Sequence, residues 1–367
     1  MSLWVVVGGQ FGSEGKGKVS AFITKQENID ICVRCGGPNS GHSFVDSSGK
    51  TIILRQLPTG YISSNTRLLI PAGALIDPEV LRHEIEALQI APERIGIDPN
   101  CFVIEPRDRD SERALKLQER LSSTLCGVGA AVSRRVLRAA DARLAKDVTD
   151  QHPWLTELLV EGGVSAELNQ ALDSGKSALI EGTQGFGLSL YHSPYYPHCT
   201  SRDTTAAGFL SEVGVSPLRV TEIVVVFRTF PIRVAGRQAG PLKGEIDWET
   251  VRRESGYPYD IEERTSVTNK VRRVARFDWE LFRKAVEVNC PTRIAINGLD
   301  YLNVKNRQAR HMSDLTEEAT AFLQRLRIES GIPTDLLGTG PSVEDIISRS
   351  RRELALSERA EALPNIS

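Results

Sequence analysis

Short apolar runs alternate with helical patterns along most of the chain. Glycine-rich turns follow several of these runs, so the runs predict strands that are buried on both faces. They cover residues 3–7, 29–33, 68–70, 74–76, 178–180, 223–227 and 294–296. The order of the elements indicates an α/β protein with a mainly parallel central sheet and helices on both faces.

Two helices have clear boundaries in the sequence. Asp77 is placed to cap a helix that has Pro78 at its first position, and a later helix is stopped by Gly331 and Pro333. Their apolar faces are formed by Val80, Leu81, Ile85 and Leu88 in the first helix, and by Leu315, Ala319, Phe322 and Leu326 in the second. No repeat, linker or change of composition divides the chain, so we expect one domain over residues 1–367.

Composition narrows the class of protein. The 367 residues include 45 basic and 47 acidic side chains, and a formal charge of −2 offers no electrostatic footprint for nucleic acid. No apolar run approaches the ~20 residues of a membrane span, and the N-terminus lacks the regions of a signal peptide. We therefore expect a cytoplasmic protein with no membrane partner. The six dispersed cysteines do not resemble a disulfide scaffold, and the lone pair Cys32 and Cys35 lacks the further ligands of a zinc site.

The turn after the first strand predicts a phosphate-binding loop. Residues 8–18 read Gly-Gly-Gln-Phe-Gly-Ser-Glu-Gly-Lys-Gly-Lys and lead into a helix. Backbone N–H groups and the positive end of the helix would face an anion there, and the lysines add charge. The run is P-loop-like but not a P-loop, in which Ser or Thr follows the lysine; here Gly17 follows Lys16. A solvated glycine turn is the alternative.

Later loops carry further candidate chemistry. Residues 36–41 lead to His42, which is either structural or an acid–base group, since histidine titrates near neutral pH. Residues 200–208 are rich in hydroxyls, which suit a phosphate or a helix cap. Residues 265–273 join hydroxyls to cations, as in a carboxylate or phosphate site or in a solvated loop. Because the carboxyl ends of parallel strands share one crevice, we expect these loops to form one site.

Taken together, the loops resemble those of the adenylosuccinate synthetase family over nearly the whole chain. The family's opening motif, Gly-x-x-x-Gly-Asp-Glu-Gly-Lys-Gly-Lys, is matched at residues 8–18 except at Ser13. Gly-Gly-x-Asn-x-Gly-His is matched at residues 36–42, Glu-Gly-x-Gln-Gly at 181–185 and Thr-Ser-x-x-Thr-Thr-Ala at 200–206. The Ser-Thr-Gly-Pro turn recurs at 338–341, with Gly338 in the place of the serine.

This resemblance implies a ligase reaction in two steps. In the family, a nucleoside triphosphate phosphorylates the 6-oxygen of a purine nucleotide, and the amine of L-aspartate then displaces that phosphate at C6. By residue matching, His42 would be the acid that contacts the transferring phosphoryl group, and Gln184 would hold the purine and its 6-phosphoryl intermediate. The family aspartate at the position of Ser13 is the base near N1 and a Mg²⁺ ligand, so Ser13 is the third candidate catalytic residue.

The same matching implies the other site residues. Mg²⁺ would lie near Ser13 and the carbonyl of Gly41. The monophosphate would be bound by Ser13, Asn39, Thr124, Gln184 and Thr200, with Arg138 reaching the neighbouring site in a homodimer. L-Aspartate would be bound by Val267, Thr268, Lys270, Arg272 and Arg273. The triphosphate would be bound by Gly12, Ser13, Glu14, Gly15, Lys16, Gly17, Lys18, Gly41, His42, Ser43, Arg272, Asn297, Asp300, Gly338, Thr339 and Gly340.

Ser13 is the departure from the family with the largest chemical consequence. An unperturbed hydroxyl is not ionised at neutral pH, and it binds a hard cation less well than a carboxylate does. The other motifs remain, which favours a changed substrate over a dead enzyme. Guanine carries a 2-amino group beside N1, and a serine leaves room for that group and can accept its hydrogen bond. The variant is similar to the phage branch of the family, the N6-succino-2-amino-2′-deoxyadenylate synthases, which use dGMP on the route to 2-aminoadenine DNA.

Two further departures leave the other substrates open. Residues 297–300 read Asn-Gly-Leu-Asp where the family has Thr-Lys-Leu-Asp, so the lysine that packs against the guanine of GTP is absent and ATP or dATP becomes an alternative. Lys270 stands where an arginine is usual, and Val267 replaces a threonine. The hypothesis is a Mg²⁺-dependent ligase that joins dGMP or GMP to L-aspartate. The alternatives are an ordinary adenylosuccinate synthetase, which uses IMP and GTP, and a nucleotide-binding regulator that joins nothing.

Overall fold

The computed structural model describes residues 2–265 and 269–349. Two of the residues expected to bind aspartate, Val267 and Thr268, lie outside this part of the chain. The strands in the described part are β1 (Leu3–Gly8), β2 (Ile31–Arg34), β3 (His42–Val45), β4 (Thr51–Leu54), β5 (Arg67–Ile70), β6 (Leu75–Ile76), β7 (Ile95–Ile97), β8 (Phe102–Val103), β9 (Ala178–Glu181), β10 (Glu222–Arg228), β11 (Ile232–Arg233), β12 (Glu245–Ile246), β13 (Arg273–Ala275), β14 (Arg293–Asn297), β15 (Thr334–Gly338) and β16 (Ile346–Ser348).

A large central sheet organises the described residues. Its nine strands lie in the order β16-β15-β14-β10-β1-β9-β2-β5-β7. All neighbours pair in parallel except β15 and β16, which are antiparallel. Smaller sheets are formed by β11-β13-β12, by β3-β4 and by β6-β8. The expected α/β class with a mainly parallel sheet is therefore confirmed.

Helices cover both faces of this sheet. Those of the described residues are α1 (Lys16–Gln26), α2 (Pro78–Leu88), α3 (Pro106–Ala114), α4 (Leu117–Leu121), α5 (Val128–Val136), α6 (Val164–Asp173), α7 (Ala206–Val213), α8 (Trp248–Ser255), α9 (Trp279–Asn289) and α10 (Glu317–Ser330). The odd residues of β1, such as Val5, pack with α6, α7, α9 and α10, whereas Trp4 and Val6 pack with α1 and α2. Because both faces are covered, β1 is apolar throughout.

Local signals in the sequence fix several element boundaries. Asp77 accepts a hydrogen bond from the Val80 amide and caps α2 as expected. Helix α10 ends before Gly331, which has φ +68°. The second strand begins at residue 31 rather than 29, because Asn28, at φ +49°, still turns the chain after α1.

All six cysteines are free thiols, as expected. Burial raises the pKa of Cys32 to about 12 and also holds the pKa of Cys35 well above its ordinary value, so both stay protonated at neutral pH. Within the described ranges, no helix has both the length and the apolar content needed to cross a bilayer.

Candidate active site

The predicted loops meet at the carboxyl ends of the parallel strands. The phosphate-binding loop follows β1, and the neighbouring strands β9 and β10 end at Glu181 and Arg228. The glycine turn at residues 36–41 follows β2, while β14 and β15 end at Asn297 and Gly338. The topology therefore brings the motifs to one edge of the sheet, where ligand sites of such sheets form.

Glu14 holds the phosphate-binding loop in shape from within. Its carboxylate is completely buried and accepts hydrogen bonds from the amides of Gln10 and Gly12 at 3.0 and 2.8 Å. The buried ammonium of Lys16 donates to the same carboxylate at 2.6 Å. A phosphate that enters the loop would therefore compete with Glu14 for Lys16.

Ser13 lies in the left-handed region, at φ +58°. Its carbonyl accepts a hydrogen bond from Nη1 of Arg228 at 3.1 Å, which fixes the turn. Of the hydrogen bonds that the described residues make, none uses the Ser13 hydroxyl. The hydroxyl is therefore available to a substrate, while the backbone beneath it is held.

The Glu-Gly-x-Gln-Gly turn packs directly against the phosphate-binding loop. A Cβ on Gly12 would lie 3.7 Å from Oε1 of Gln184, and a Cβ on Gly185 would lie 2.2 Å from Oε1 of Glu14. Only glycine at residue 185 permits this approach. Gln184 itself has φ +63° and is placed beside the turn that carries Ser13.

His42 is buried at the start of β3, against the first turn of α1. A Cβ on Gly17 would lie 2.9 Å from Cβ of His42. Nδ1 of His42 forms a short hydrogen bond with Glu181, while Nε2 is buried and has no hydrogen-bond partner among the described residues. Burial, together with the Arg34 charge, lowers the pKa of His42 to about 3. The imidazole is thus neutral at pH 7: its Nδ1–H donates to Glu181, and Nε2 carries a free lone pair.

Glu181 is the centre of a buried polar network. Its carboxylate accepts from Nη1 of Arg34 at 3.0 Å and from the amide and hydroxyl of Thr59 at 2.8 and 2.7 Å, in addition to His42. Burial opposes ionisation, but the hydrogen bond from His42, the charge of Arg34 and the hydrogen bond from the Thr59 hydroxyl hold the pKa of Glu181 below its ordinary value. The network fixes the orientation of the His42 ring.

Asn297 joins the phosphate-binding loop to the turn at residues 338–340. Its Nδ2 donates to the carbonyl of Glu14 at 2.8 Å, which sets the orientation of the amide, because a carbonyl accepts only from the nitrogen. Oδ1 is buried and has no hydrogen-bond partner among the described residues. A Cβ on Gly338 would lie 2.0 Å from this Oδ1, so the asparagine oxygen occupies the space that a serine at residue 338 would need.

Asp300 and Lys18 lie in the same region. Asp300 is buried and accepts a hydrogen bond from the hydroxyl of Tyr257 at 2.6 Å; burial raises its pKa. Lys18 donates to the carbonyl of Gly340 at 2.8 Å. Burial lowers the pKa of Lys18 to about 8, against the opposing charges of Asp300 and Asp345. Thr339 is fully buried and uses its hydroxyl on the carbonyl of residue 309.

The loop expected to bind aspartate is anchored by an arginine–glutamate pair. Arg228 pairs through both terminal nitrogens with the carboxylate of Glu263. The carbonyl of Glu263 accepts from the amide of Arg272 at 2.8 Å. The side chain of Arg273 does not join the Arg228–Glu263 pair; its guanidinium pairs with Glu245 at 2.7 and 2.5 Å. Lys270 and Ser43 are both exposed.

The residues expected around the monophosphate's phosphate group gather at the start of α5. A Cβ on Gly37 would lie 3.0 Å from the Val128 side chain, and one on Gly129 would lie 3.8 Å from Cβ of Ser201. The segments that carry Asn39 and Thr200 therefore meet at α5, which follows the loop of Thr124. Arg138 lies just beyond the other end of α5, is exposed and has φ +52°.

Sequence reasoning did not assign roles to several residues that shape the site. They are Glu181, Arg228, Tyr257 and Glu263. The available signal was the position of Glu181 and Arg228, charged residues at the carboxyl ends of apolar strands, where parallel sheets place function. Tyr257 and Glu263 lie in irregular segments whose partners are fixed only by the fold.

The fold and the site define a class: an α/β protein with a glycine-rich turn after the first strand and, beside that turn, a buried histidine held by a carboxylate. A profile of the adenylosuccinate synthetase family matches residues 5–159 and 143–307. The adenylosuccinate synthetase of Thermococcus onnurineus (strain NA1) is 40% identical over 353 residues, 95% of this chain and 99% of that protein. The one of Methanocaldococcus jannaschii is 40% identical over 347 residues, 94% of this chain and 95% of that protein. The chain belongs to the adenylosuccinate synthetase family, and it is a carbon–nitrogen ligase that uses a nucleoside triphosphate.

Two solved structures have the same fold. One is the succinoaminodeoxyadenylate synthetase PurZ of cyanophage S-2L, bound to dGMP and to dATP as an energy donor. It is 26% identical with a TM-score of 0.78, covering 98% of this chain and 99% of that one. The other is the fully ligated adenylosuccinate synthetase of Plasmodium falciparum, at 19% identity and a TM-score of 0.80, covering 95% and 100%. At 19% identity, the similarity to the second structure shows the fold alone.

Proposed function

We propose that this ligase joins dGMP, or GMP, to L-aspartate and forms the 2-amino counterpart of adenylosuccinate for 2-aminoadenine DNA. The observation that carries the proposal is Ser13, whose hydroxyl no described residue occupies and whose backbone is held by Arg228. A carboxylate at this position would be longer and charged, whereas the hydroxyl leaves space beside N1 and can accept from the 2-amino group. The bound dGMP of the cyanophage S-2L neighbour supports the same substrate.

The proposed reaction has two steps. The γ-phosphoryl group passes to O6 of the purine, the nucleoside diphosphate leaves, and the N1 proton passes to solvent. The α-amine of aspartate then forms the bond to C6 and gives up a proton to solvent, and inorganic phosphate leaves with the electrons of the C6–O6 bond. His42 donates from Nε2 to the transferring phosphoryl group, and Gln184 holds the purine. Because burial keeps the pKa of His42 near 3, this role requires the phosphoryl charges to raise it on binding.

We also propose an adenine triphosphate, ATP or dATP, as the energy donor. Asn297 offers a buried carbonyl oxygen that has no hydrogen-bond partner in the described part of the chain, where the family serine at residue 338 would offer a hydroxyl. A carbonyl accepts from the 6-amino group of adenine and opposes the 6-oxygen of guanine. The hydroxyl of Tyr257 already occupies one oxygen of Asp300, which leaves less of that carboxylate for the N1–H and N2–H of guanine. The dATP of the S-2L neighbour is consistent with this assignment.

Mg²⁺ fits the site mainly through the phosphates. In residues 2–265 and 269–349 no three His, Cys, Asp or Glu side chains come together as a metal site. The hydroxyl of Ser13 and the carbonyl of Gly41 are the protein oxygens proposed for it, and Mg²⁺ commonly takes its remaining ligands from phosphates and water. The ion would neutralise charge on the phosphoryl groups.

The proposal includes a homodimer in the cytoplasm. Val136 and Leu137 are 71% and 72% exposed at the end of α5, beside the exposed Arg138. Two large apolar side chains next to an arginine suit a protein interface, in which Arg138 would reach the phosphate subsite of the neighbouring subunit.

Substrate assays test the proposed function directly. The enzyme is incubated with aspartate and Mg²⁺, with dGMP, GMP or IMP, and with ATP, dATP or GTP, and the succino-nucleotide is measured by chromatography. We expect product with dGMP and an adenine triphosphate. Turnover of IMP alone would establish the ordinary adenylosuccinate synthetase reaction instead, and phosphate release without aspartate would favour the nucleotide-binding regulator.

Ser13→Asp tests the role of the serine. We expect dGMP turnover to fall at least ~10-fold, the cost of one lost good contact at ~1.4 kcal/mol, and IMP turnover to rise. Left-handed φ is tolerated by aspartate, so the loop should keep its shape; Ser13→Ala provides the matched control without a hydroxyl. Equal or better dGMP activity in Ser13→Asp would contradict the steric account.

A further inference from the structure

Arg55 links two loops of the monophosphate subsite. It directly follows β4, and its Nε donates to the carbonyl of Pro38 at 2.8 Å. Its Nη2 contacts Sγ of Cys126 at 3.6 Å. Pro38 precedes Asn39, and Cys126 lies two residues after Thr124. The guanidinium therefore lies between the two loops that carry residues proposed to bind the 5′-phosphate.

The backbone of Arg55 is held rigidly in this place. Glu84 of α2 is buried, and its carboxylate accepts from the amides of Arg55, Gln56 and Leu57. These three bonds fix the strand end from which the Arg55 side chain projects. The guanidinium is thus anchored by its backbone and by Nε, so little conformational entropy remains to be lost on binding an anion.

The charge of Arg55 has no ion-pair partner among residues 2–265 and 269–349. In the part of the chain that the structure describes, no carboxylate lies within ion-pair distance of it. Other arginines near this region do have carboxylate partners: Arg34 pairs with Glu181, Arg134 with Asp108, and Arg202 with Glu212. A half-buried, anchored arginine without an ion-pair partner among the described residues, beside two loops that are proposed to bind the 5′-phosphate, is suited to an oxyanion.

We infer that Arg55 is a further binding residue for the 5′-phosphate of the monophosphate substrate. The inference rests on the proposed function for the location of the phosphate, but not on the identity of the purine, because dGMP, GMP and IMP share the 5′-phosphate. Arg55 supplies a cation from within the subunit, whereas Arg138 would come from the neighbouring subunit.

Steady-state kinetics of Arg55→Gln test this inference. We expect the KM for dGMP to rise about 10- to 100-fold, the range of one charge-assisted hydrogen bond. The values of kcat and the KM for aspartate and triphosphate should stay within about threefold. Arg55→Lys, which keeps the charge, should recover most of the loss. If the enzyme turns over IMP and not dGMP, the same measurements are made with IMP.

Two controls separate charge from loop support. Cys126→Ala removes the thiol contact and keeps the guanidinium, so the KM for dGMP should be unchanged. Arg94 also binds backbone carbonyls, those of Ser63 and Thr66, and Arg94→Gln should likewise leave the KM for dGMP unchanged. Inhibition by deoxyguanosine, which lacks the phosphate, should be equal in wild-type enzyme and Arg55→Gln. Three results would overturn the inference. They are an equal weakening of dGMP binding and deoxyguanosine binding in Arg55→Gln, a KM for dGMP in Arg55→Lys as high as in Arg55→Gln, and an unchanged KM for dGMP in Arg55→Gln.

Discussion

Replacing Glu181 by glutamine should reduce phosphoryl transfer by removing charge from the partner of His42. Glutamine keeps the shape and can still accept from Nδ1, but it cannot stabilise the imidazolium electrostatically. A pair of charges ~4 Å apart is worth about 4 kcal/mol at an effective dielectric constant of 20, and the amide oxygen of glutamine, which still accepts from Nδ1, recovers part of that. We expect a net loss of about 2–4 kcal/mol in the transition state, or a roughly 30- to 1,000-fold fall in kcat.

The pH dependence provides the sharper readout. His42 must be protonated to act as the acid, so activity is lost as pH rises through its pKa in the complex. Without the negative charge of Glu181 that pKa falls, and the basic limb of the kcat profile should move to lower pH by about 1–2 units. The assay is phosphate release that depends on both dGMP and aspartate, from pH 5.5 to 9, with KM values expected to change little because Glu181 is completely buried.

Asp335→Asn is the matched control for this experiment. Asp335 is also completely buried and pairs with Arg293, but it lies towards the amino ends of β14 and β15, away from the site. It should lose stability without a shift of the pH profile. A kcat for Glu181→Gln within threefold of wild type, with an unchanged basic limb, would refute the assignment of Glu181 as the residue that positions and charges His42.

Three more variants probe neighbouring parts of the site. Because the folded pKa of His42 is depressed to about 3, the unfolded chain binds more protons below pH 6.5. The free energy of unfolding should therefore fall by up to ~1.4 kcal/mol per pH unit as the pH is lowered from 6 to 4. Urea titrations should show a shallower fall in His42→Asn than in the wild type. Equal falls in the two proteins would contradict the depressed pKa. Gly338→Ser places a Cβ against Asn297 and should raise the KM for triphosphate about 10-fold. Adding Asn297→Thr to the same chain should restore that KM. If Gly338→Ser alone leaves the KM unchanged, the packing argument is refuted. Arg228→Lys loses the bidentate pair with Glu263 and should raise the KM for aspartate about 5- to 20-fold. An unchanged KM would show that this pair does not support aspartate binding.

The sequence predicted the framework well because its signals are local. The run at residues 3–7 is apolar at every position, which is the pattern of a strand covered on both faces, and β1 is that strand. Asp77 and Pro78 lie next to the helix start that they determine. Glycines 12 and 185 marked loops whose close packing is now explained by contacts with Gln184 and Glu14.

The buried polar contacts could not be predicted in the same way. Glu181 and His42 are 139 positions apart, and Asn297 and Glu14 are 283 apart, so only the strand order brings them together. Glu84 falls on the face of α2 that apolar spacing assigns to the core, and nothing nearby in the sequence indicates that it caps the amides after β4. Such contacts depend on register between segments, which periodicity does not encode.

The serine at residue 13 is best understood through its backbone. At positive φ the direction of the side chain is set by the turn, and the turn is held by Arg228 on the Ser13 carbonyl and by the Glu14 carboxylate on the amides of Gln10 and Gly12. None of these bonds involves the side chain at residue 13. Serine and aspartate would therefore point the same way and differ only in length and charge. On the proposed function, that separation would let one substitution change the recognised purine while the backbone of the loop at residues 8–18 keeps its shape.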